Sequence, residues 1–254
     1  MIHWRCLLLI YSQIDVCILN ASSISERFIH ELPSEEIKDA VESFRNFPLL
    51  VEDLTDQKAG IKYDIVYSQR ALSTLTKSGD DLWWPSPEDT KPELEQYLLK
   101  EKYHSVFIFW PQNNLQSGKS IKSGGWGLGM GASEWSMGAT YATVANTQSR
   151  IWEIPIIGEI WLHEWLHGVC YHFKQLGHKM PDGDADGGGR HGYSQSAETG
   201  WTSYYRDLMN GKVMEKGEAR GIAPEAWSIP LSAVESSLIT KCRHFWRAFQ
   251  NFSL

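Results

Sequence analysis

Two histidines and a glutamate lie close together in the segment His163-Glu164-Trp165-Leu166-His167. Residues four positions apart face the same side of a helix, so both imidazoles can reach one metal ion. Glu164 points about 100° around the helix, where its carboxylate can hydrogen-bond a water without competing for the metal. Two His ligands, a further protein ligand and a carboxylate base are the parts of a zinc site that activates water.

The residues around this motif favour a helix over 155–177. Glu159 is placed where an acidic side chain meets the positive end of a helix, and Gly177 supplies a C-terminal stop. One apolar stripe has helical spacing and contains Leu162, Leu166, Val169, Phe173 and Leu176. The alternative is a buried amphipathic helix whose histidines only make hydrogen bonds in the core. Glu164 would then need a buried partner of its own.

Reach along the chain limits the choice of a third metal ligand. A helix that continues to Gly177 carries the chain about 15 Å past His167, which puts His178 too far away. His172 points about 140° away from His167 on the same helix. An extended chain covers up to about 3.3 Å per residue, so the acidic, glycine-rich segment 180–193 can return to the metal.

Asp186 is the first choice of third ligand within that segment. It is followed by Gly187-Gly188-Gly189, which permit the tight backbone turn that would present the carboxylate. His191 is the second choice, because imidazole is the better ligand by chemical type. Glu198 and Asp184 are the remaining candidates within reach.

The same segment begins like an EF-hand calcium loop, with Asp182-x-Asp184-x-Asp186-Gly187. The pattern then fails, since Tyr193 stands where the bidentate Glu belongs. A calcium site of another kind, formed by the three aspartates, is one hypothesis, and a solvated turn is another. In the zinc hypothesis, Asp182 and Asp184 are left to hydrogen-bond the ligating imidazoles.

Composition disfavours several classes of protein. The 254 residues, 42% of them apolar, fit a single domain over 1–254 with a lobe boundary near Gly177. The net charge is −7 and no long basic run occurs, so nucleic acid and anionic membranes are disfavoured as partners. No apolar run approaches 18 residues, so no transmembrane helix is expected. Four cysteines without a Cys-x-x-Cys pair indicate no disulfide framework.

The N-terminal apolar run from Cys6 to Tyr11 has two interpretations. It could be a short signal peptide, or it could be a buried strand. Because the run has only six residues and Asp15 follows, we favour the strand and, with it, a cytoplasmic location. The sequons at Asn20-Ala21-Ser22 and Asn251-Phe252-Ser253 matter only in a secreted protein. Nothing in the sequence indicates an oligomeric state.

The order of apolar and amphipathic segments predicts an α+β fold with a mixed sheet. Strands are expected over 6–11, 61–67, 106–110 and 139–145. Helices are expected from Pro33-Ser34-Glu35-Glu36 onward and over 70–77, 93–102, 201–209 and 231–250, besides the motif helix. Twelve tryptophans indicate either a Trp-rich core or an aromatic-lined cleft.

A glycine-rich stretch covers residues 124–131. It fits neither a dinucleotide-binding fingerprint nor a P-loop. Glycine at this density allows another backbone to approach closely. The stretch is therefore either an edge strand or flap beside a cleft, where an extended peptide could pair, or a flexible surface loop.

The motif His163-Glu164-x-x-His167 resembles that of the zincin metallopeptidases. The resemblance implies a zincin-like mixed sheet with packed helices and an active-site helix, followed by a smaller C-terminal lobe from about 178. Metzincins continue with Gly and His where this chain has Cys170 and Phe173, so the chain is not a standard metzincin. Thermolysin-type enzymes take a Glu ligand from a later helix, and Glu198 is the nearest analogue. Zincins also place a Tyr or His near the developing oxyanion, which makes Tyr193 and His191 the local candidates.

The expected function is that of a zinc-dependent metallopeptidase acting on a peptide or protein substrate. Glu164 would take a proton from zinc-activated water and deliver it to the leaving amine, and Tyr193 would help to hold the oxyanion. One alternative is a zinc hydrolase of a glycan or a small-molecule amide. Another is a non-catalytic binding module with a calcium-binding acidic loop, although a binding site alone has no use for Glu164 as a base.

Overall fold

The computed structural model describes residues 2–19, 25–79, 81–98, 102–125, 127–133 and 136–228. Three sequence predictions lie outside these residues. They are the helix over 231–250 and the two glycosylation sequons at Asn20 and Asn251. Trp126 of the glycine-rich stretch is outside them as well.

The described chain forms groups of strands separated by helices. The strands are β1 Ile2–Ile10, β2 Gln13–Leu19, β3 Ser25–Glu31, β4 Ala59–Tyr67, β5 Thr76–Ser78, β6 Leu82–Trp84, β7 Ser105–Trp110, β8 Asn113–Asn114, β9 Lys119–Ser120, β10 Gly127–Met130, β11 Thr140–Ala145, β12 Val213–Glu215 and β13 Glu218–Arg220. The helices are α1 Ser34–Leu54, α2 Lys91–Tyr97, α3 Ser149–Trp152, α4 Glu159–Gln175 and α5 Thr202–Met209.

A five-stranded sheet in the order β10-β11-β7-β1-β4 forms the centre of the fold. The pairs β1–β4, β1–β7 and β7–β11 are parallel, and β10 alone is antiparallel, paired with β11. A mostly parallel sheet with helices packed on it confirms the prediction of a mixed sheet in an α+β fold. The remaining described strands form two-stranded hairpins: β2–β3, β5–β6, β8–β9 and β12–β13.

Both faces of this sheet are buried, as is typical of parallel strands. Along β1, Cys6, Leu8 and Ile10 face one apolar cluster, while Leu7 and Leu9 face another. The first cluster is packed with residues of α1, α4 and α5. The second is covered by the β2–β3 hairpin and by α2. The cluster under α4 joins residues from both sides of the predicted boundary at Gly177, including Trp165 and Trp227.

Most of the described tryptophans belong to the core. Trp161 packs edge-on against Phe44 of α1, with ring centroids 5.1 Å apart, and stacks on Trp152 of α3 at 5.6 Å. Trp165 contacts Trp4 of β1 at 5.4 Å. Edge-on and offset aromatic pairs add specific geometry to apolar burial. These contacts fix α4 against the sheet and thereby fix the position of the motif that it carries.

The secondary structure differs from the sequence prediction between residues 70 and 84. Residues 70–77 were expected to form a short helix, but Leu72 forms an isolated bridge with Ile14 and β5 begins at Thr76. No strand was expected over residues 81–87, but β6 lies there and forms a hairpin with β5. Tertiary contacts outweigh the weak local preferences of such short segments.

No helix in the described part of the chain combines the length and the apolar composition needed to cross a bilayer.

The edge strand β10 lies directly on the motif helix α4. A Cβ atom added to Gly129 would overlap the Glu164 carbonyl oxygen and would lie 2.6 Å from the His167 Cβ. A Cβ added to Gly127 would lie 2.5 Å from the Glu164 side chain. Atoms do not approach this closely without displacement, so only glycine allows the strand to pack at this distance.

We expect Gly129→Ala to destabilise the protein by about 1–3 kcal/mol, the usual cost of overpacking. The free energy of unfolding is measured by chemical denaturation. Gly125→Ala is the matched control, because a Cβ there would meet nothing within 4 Å. Equal stability of the two variants would contradict the close packing of β10 on α4.

The C-terminal part of α4 carries a half-buried histidine. The ring of His172 lies 6.0 Å from that of Trp4, and its Nε2 atom is buried without a hydrogen-bond partner among the described residues. Burial, together with the neighbouring His104 and His178, lowers the pKa of His172 to about 4. The folded protein therefore holds this imidazole in its neutral form near pH 7.

Stability should fall as the pH falls from about 6.5 towards 4, because the unfolded chain then binds a proton that the folded His172 resists. His172→Gln removes this contribution, so the variant should lose less stability than the wild type between pH 7.5 and pH 5. Urea denaturation at several pH values measures the difference. Identical pH dependence in the two proteins would show that His172 does not titrate in this way.

Candidate metal centre

Helix α4 presents His163 and His167 on the same side, one turn apart. The helix ends at Gln175, and Gly177 has a φ of 94°, which confirms the predicted C-terminal stop. Leu162, Leu166, Val169 and Phe173 of the apolar stripe are buried. Burial of that stripe turns the two histidines towards a cleft at the edge of the sheet.

The two imidazoles converge on Asp186. His163 Nε2 lies 3.5 Å from Asp186 Oδ1, and His167 Nε2 lies 3.7 Å from Asp186 Oδ2. One ligand atom from each of the three residues can be chosen so that all lie within 4.8 Å of one another. Ligand atoms about 2.0–2.2 Å from a tetrahedral zinc are about 3.4 Å apart. The separations in this cluster are close to that value.

Each histidine also has a hydrogen-bond partner at Nδ1, the ring nitrogen that does not face Asp186. His163 Nδ1 lies 2.8 Å from the Tyr205 hydroxyl, and His167 Nδ1 lies 2.6 Å from Asp184 Oδ1. When Nδ1 carries the hydrogen and donates it, the Nε2 lone pair is free to bind a metal. Two nitrogen donors and a carboxylate, with both imidazoles oriented in this way, fit a zinc ion.

Asp184 holds its position through the backbone around it. Its Oδ1 also accepts a hydrogen bond from the Ala185 amide at 2.5 Å, and its carbonyl oxygen accepts one from Tyr204. Burial alone would raise the pKa of Asp184, but the hydrogen bond from His167 and the charges nearby lower it below its usual value. The carboxylate therefore stays ionised, and it favours the protonated Nδ1 of His167.

Glu164 lies beside the cluster with its side chain buried. Its Oε1 is 4.0 Å from His163 Nε2, and its carboxyl group has no hydrogen-bond donor among the described residues. Burial raises the pKa of Glu164 to about 8, against a smaller opposing effect of His167. A positive charge near a carboxyl group favours its ionised form. A buried carboxyl group without a protein partner, next to three potential metal ligands, is suited to exchange a proton with a molecule in the cleft.

The electrostatics of the two histidines differ. Burial, together with the proximity of His167, lowers the pKa of His163 to about 4. Burial acts in the same direction on His167, but the hydrogen bond to Asp184 and the charges of Asp184, Glu164 and Asp186 together outweigh it and raise the pKa of His167.

Other predicted site residues lie elsewhere. His191 is not part of the cluster, because its Nε2 is 2.9 Å from the Asp182 carbonyl oxygen and its ring stacks on Tyr204. The Tyr193 hydroxyl donates to Asp207 Oδ2 at 2.6 Å, so it is directed away from the cleft. Glu198 is exposed in a loop rather than on the expected helix. These three positions were reachable along the chain, but the Asp182 carbonyl oxygen holds His191, Asp207 holds Tyr193, and Glu198 lies in an exposed turn.

The three aspartates of the acidic segment do not converge on one point. Asp182 pairs with Arg190 at 3.0 Å, Asp184 pairs with His167, and Asp186 faces both histidines. Within the residues that the structure covers, no common calcium site brings the three carboxylates together. Asp184 instead hydrogen-bonds the imidazole of His167, as the zinc hypothesis expects.

Tyr205 is the member of this arrangement that the sequence did not single out. It lies on α5, 42 positions from His163, and no local motif connects the two. The only available signal was that Tyr205 stands in a segment predicted to be helical, close to the acidic loop.

The cleft above the cluster has a volume of about 590 Å³, which is within the range of small-molecule and peptide sites. The β10 side contributes Gly124, Gly125, Gly127, Leu128 and Gly129. The glycine-rich stretch thus includes an edge strand beside the cleft, which is one of its two predicted forms.

Comparison of the sequence with models of known protein families gives no match, and no curated protein matches it either.

We expect Tyr205→Phe to weaken zinc binding about 10–100-fold, the usual effect of removing a residue that orients a ligand. Competition with a chromophoric chelator measures the affinity. Tyr193→Phe is the matched control, since it removes a hydroxyl that is bonded to Asp207 instead. If the two variants bind zinc equally well, Tyr205 does not orient His163.

Proposed function

We propose that the protein is a zinc-dependent metallopeptidase with a zincin-like fold. The observation that carries the proposal is the convergence of His163, His167 and Asp186, with the buried Glu164 beside them. The alternative of a purely structural helix requires a buried partner for Glu164, and no described residue donates a hydrogen bond to it.

His163, His167 and Asp186 would hold the ion, and Asp184 and Tyr205 would keep the imidazoles in the required tautomer. Zinc bound there supplies a Lewis acid that acidifies water and polarises a carbonyl group. Glu164 accepts a proton at its carboxylate and returns it to the leaving amine. Tyr193 is not proposed as the oxyanion donor, because Asp207 holds its hydroxyl.

The edge strand supports a peptide as the substrate. Among the described strands β10 is paired only with β11, so its other edge can pair with an extended chain. Leu128 and the glycines of this strand line the cleft together with the cluster. A peptide added to this edge would pass over Glu164, whereas a glycan has no backbone that matches the strand.

We expect protein purified without added metal to contain about one zinc per chain, and Glu164→Gln to retain that zinc. The variant should hydrolyse peptides about 10²–10⁴-fold more slowly, because Gln can form hydrogen bonds but cannot accept the proton. Elemental analysis measures the zinc, and the cleavage of a mixture of synthetic peptides measures the activity.

Glu35→Gln on α1 is the control for this experiment, since its carboxylate is exposed and distant in sequence from the cluster. It should leave zinc content and activity unchanged. A wild-type protein without any transition metal would refute the proposal. A Glu164→Gln variant with near wild-type activity would assign Glu164 a structural role.

A further inference from the structure

The cleft extends beyond the metal ligands along the first turn of α4, and this part of it is apolar. Its wall is formed by Ile151, Ile154, Pro155, Ile160 and Trp201. Ile160 lies on α4, three residues before His163. Ile154 is 65% exposed, so an aliphatic surface faces solvent next to the cluster. We refer to these five residues as the apolar wall.

Among the described residues that line this part of the cleft beside Gln195, Glu159 carries the one carboxyl group, and that group is buried. Glu159 is 5% exposed, and its Oε1 accepts a hydrogen bond from the Trp201 amide at 2.6 Å. Its Oε2 is buried without a hydrogen-bond partner among the described residues. Glu159 therefore ties Trp201 to the start of α4 and stabilises the wall, and a cationic ligand would not find an accessible carboxylate there.

We propose that the apolar wall is a specificity subsite that takes a bulky apolar side chain, of the leucine or phenylalanine class, next to the scissile bond of a peptide. This inference rests on the proposed peptidase function and adds its substrate preference. Removing the exposed surface of Ile154 and the facing side chain from water favours binding in proportion to the apolar area buried. An isolated exposed isoleucine needs no explanation, but a contiguous apolar surface inside a cleft indicates a ligand.

Pairing with the edge strand β10 would determine which side chains of a bound peptide face the apolar wall. Successive side chains of an extended peptide point to opposite faces, so a peptide paired with β10 turns alternate side chains towards α4. Because Ile160 lies on α4 one turn before His163, a side chain near the bond at the cluster would meet the wall.

The first test compares cleavage of peptides that differ at one position on either side of the cleaved bond, with Leu, Phe, Lys or Asp there. We expect Leu or Phe to be preferred at one of these positions by roughly tenfold or more in kcat/KM. Ile154→Asp should reduce that preference by roughly tenfold. Because Ile154 is exposed, the substitution should not prevent folding. Ile29→Asp on β3, at a residue 58% exposed, is the matched control and should leave the preference unchanged.

A second measurement does not depend on hydrolysis. The hydroxamates of leucine, phenylalanine, lysine and aspartate chelate zinc through the same group and differ only in the side chain. Calorimetric titration of the zinc-loaded protein should show the leucine and phenylalanine compounds binding roughly tenfold or more tightly than the lysine compound. The difference should be lost in Ile154→Asp and kept in Ile29→Asp.

The outcomes separate this subsite from the proposed function. Equal affinity for the four hydroxamates, or tighter binding of the lysine compound, overturns the apolar subsite even when peptides are cleaved. A retained leucine preference in a protein that cleaves no peptide supports the subsite and contradicts the peptidase. A protein that binds no hydroxamate overturns both.

Discussion

The approach of β10 to α4 is the constraint on which the site depends. The strand carries glycine where its backbone lies against Glu164 and His167, so no side chain separates the edge of the sheet from the motif helix. The same contact buries Glu164 and leaves the outer edge of β10 facing the cleft. Side chains at Gly127 and Gly129 would push the strand away and would expose the carboxylate to bulk water.

Packing on the opposite side of α4 keeps the helix from moving away from β10. Trp161 and Trp165 pack against α1 and β1, and Glu159 accepts a hydrogen bond from Trp201 at the start of the helix. The helix is therefore held by aromatic packing on one side, by the strand on another and by a loop at its beginning. These contacts fix the positions of His163 and His167, because both residues belong to this helix.

The strongly periodic parts of the fold could be predicted from the sequence. The strands over 61–67 and 106–110 and the helix after Pro33 are long or uniformly apolar, and all lie where the periodicity places them. The β2–β3 hairpin was not predicted, and the β5–β6 hairpin was predicted as other structure. Segments as short as β5 and β6 have no periodicity to read, and their pairing depends on tertiary contacts.

The proposed metal ligands divide in a similar way. His163 and His167 follow from helical spacing alone, and Asp186 follows from reach and from the glycines after it. Reach could not exclude His191 or Tyr193, because their directions are set by Asp182, Tyr204 and Asp207. The contact of Tyr205 with His163 could not be predicted from the sequence, because it depends on how α5 packs beside α4.

Asp184 and Asp186 belong to one short 3₁₀ turn, and Asp184 already holds that turn to His167 through a hydrogen bond. The intervening chain thus forms a loop that is closed within the fold, and the entropy of closing it is lost during folding. Asp186 consequently stands opposite both imidazoles through contacts within the protein alone. A cation bound at the proposed site would therefore not have to order the loop, and its affinity would not be reduced by that cost.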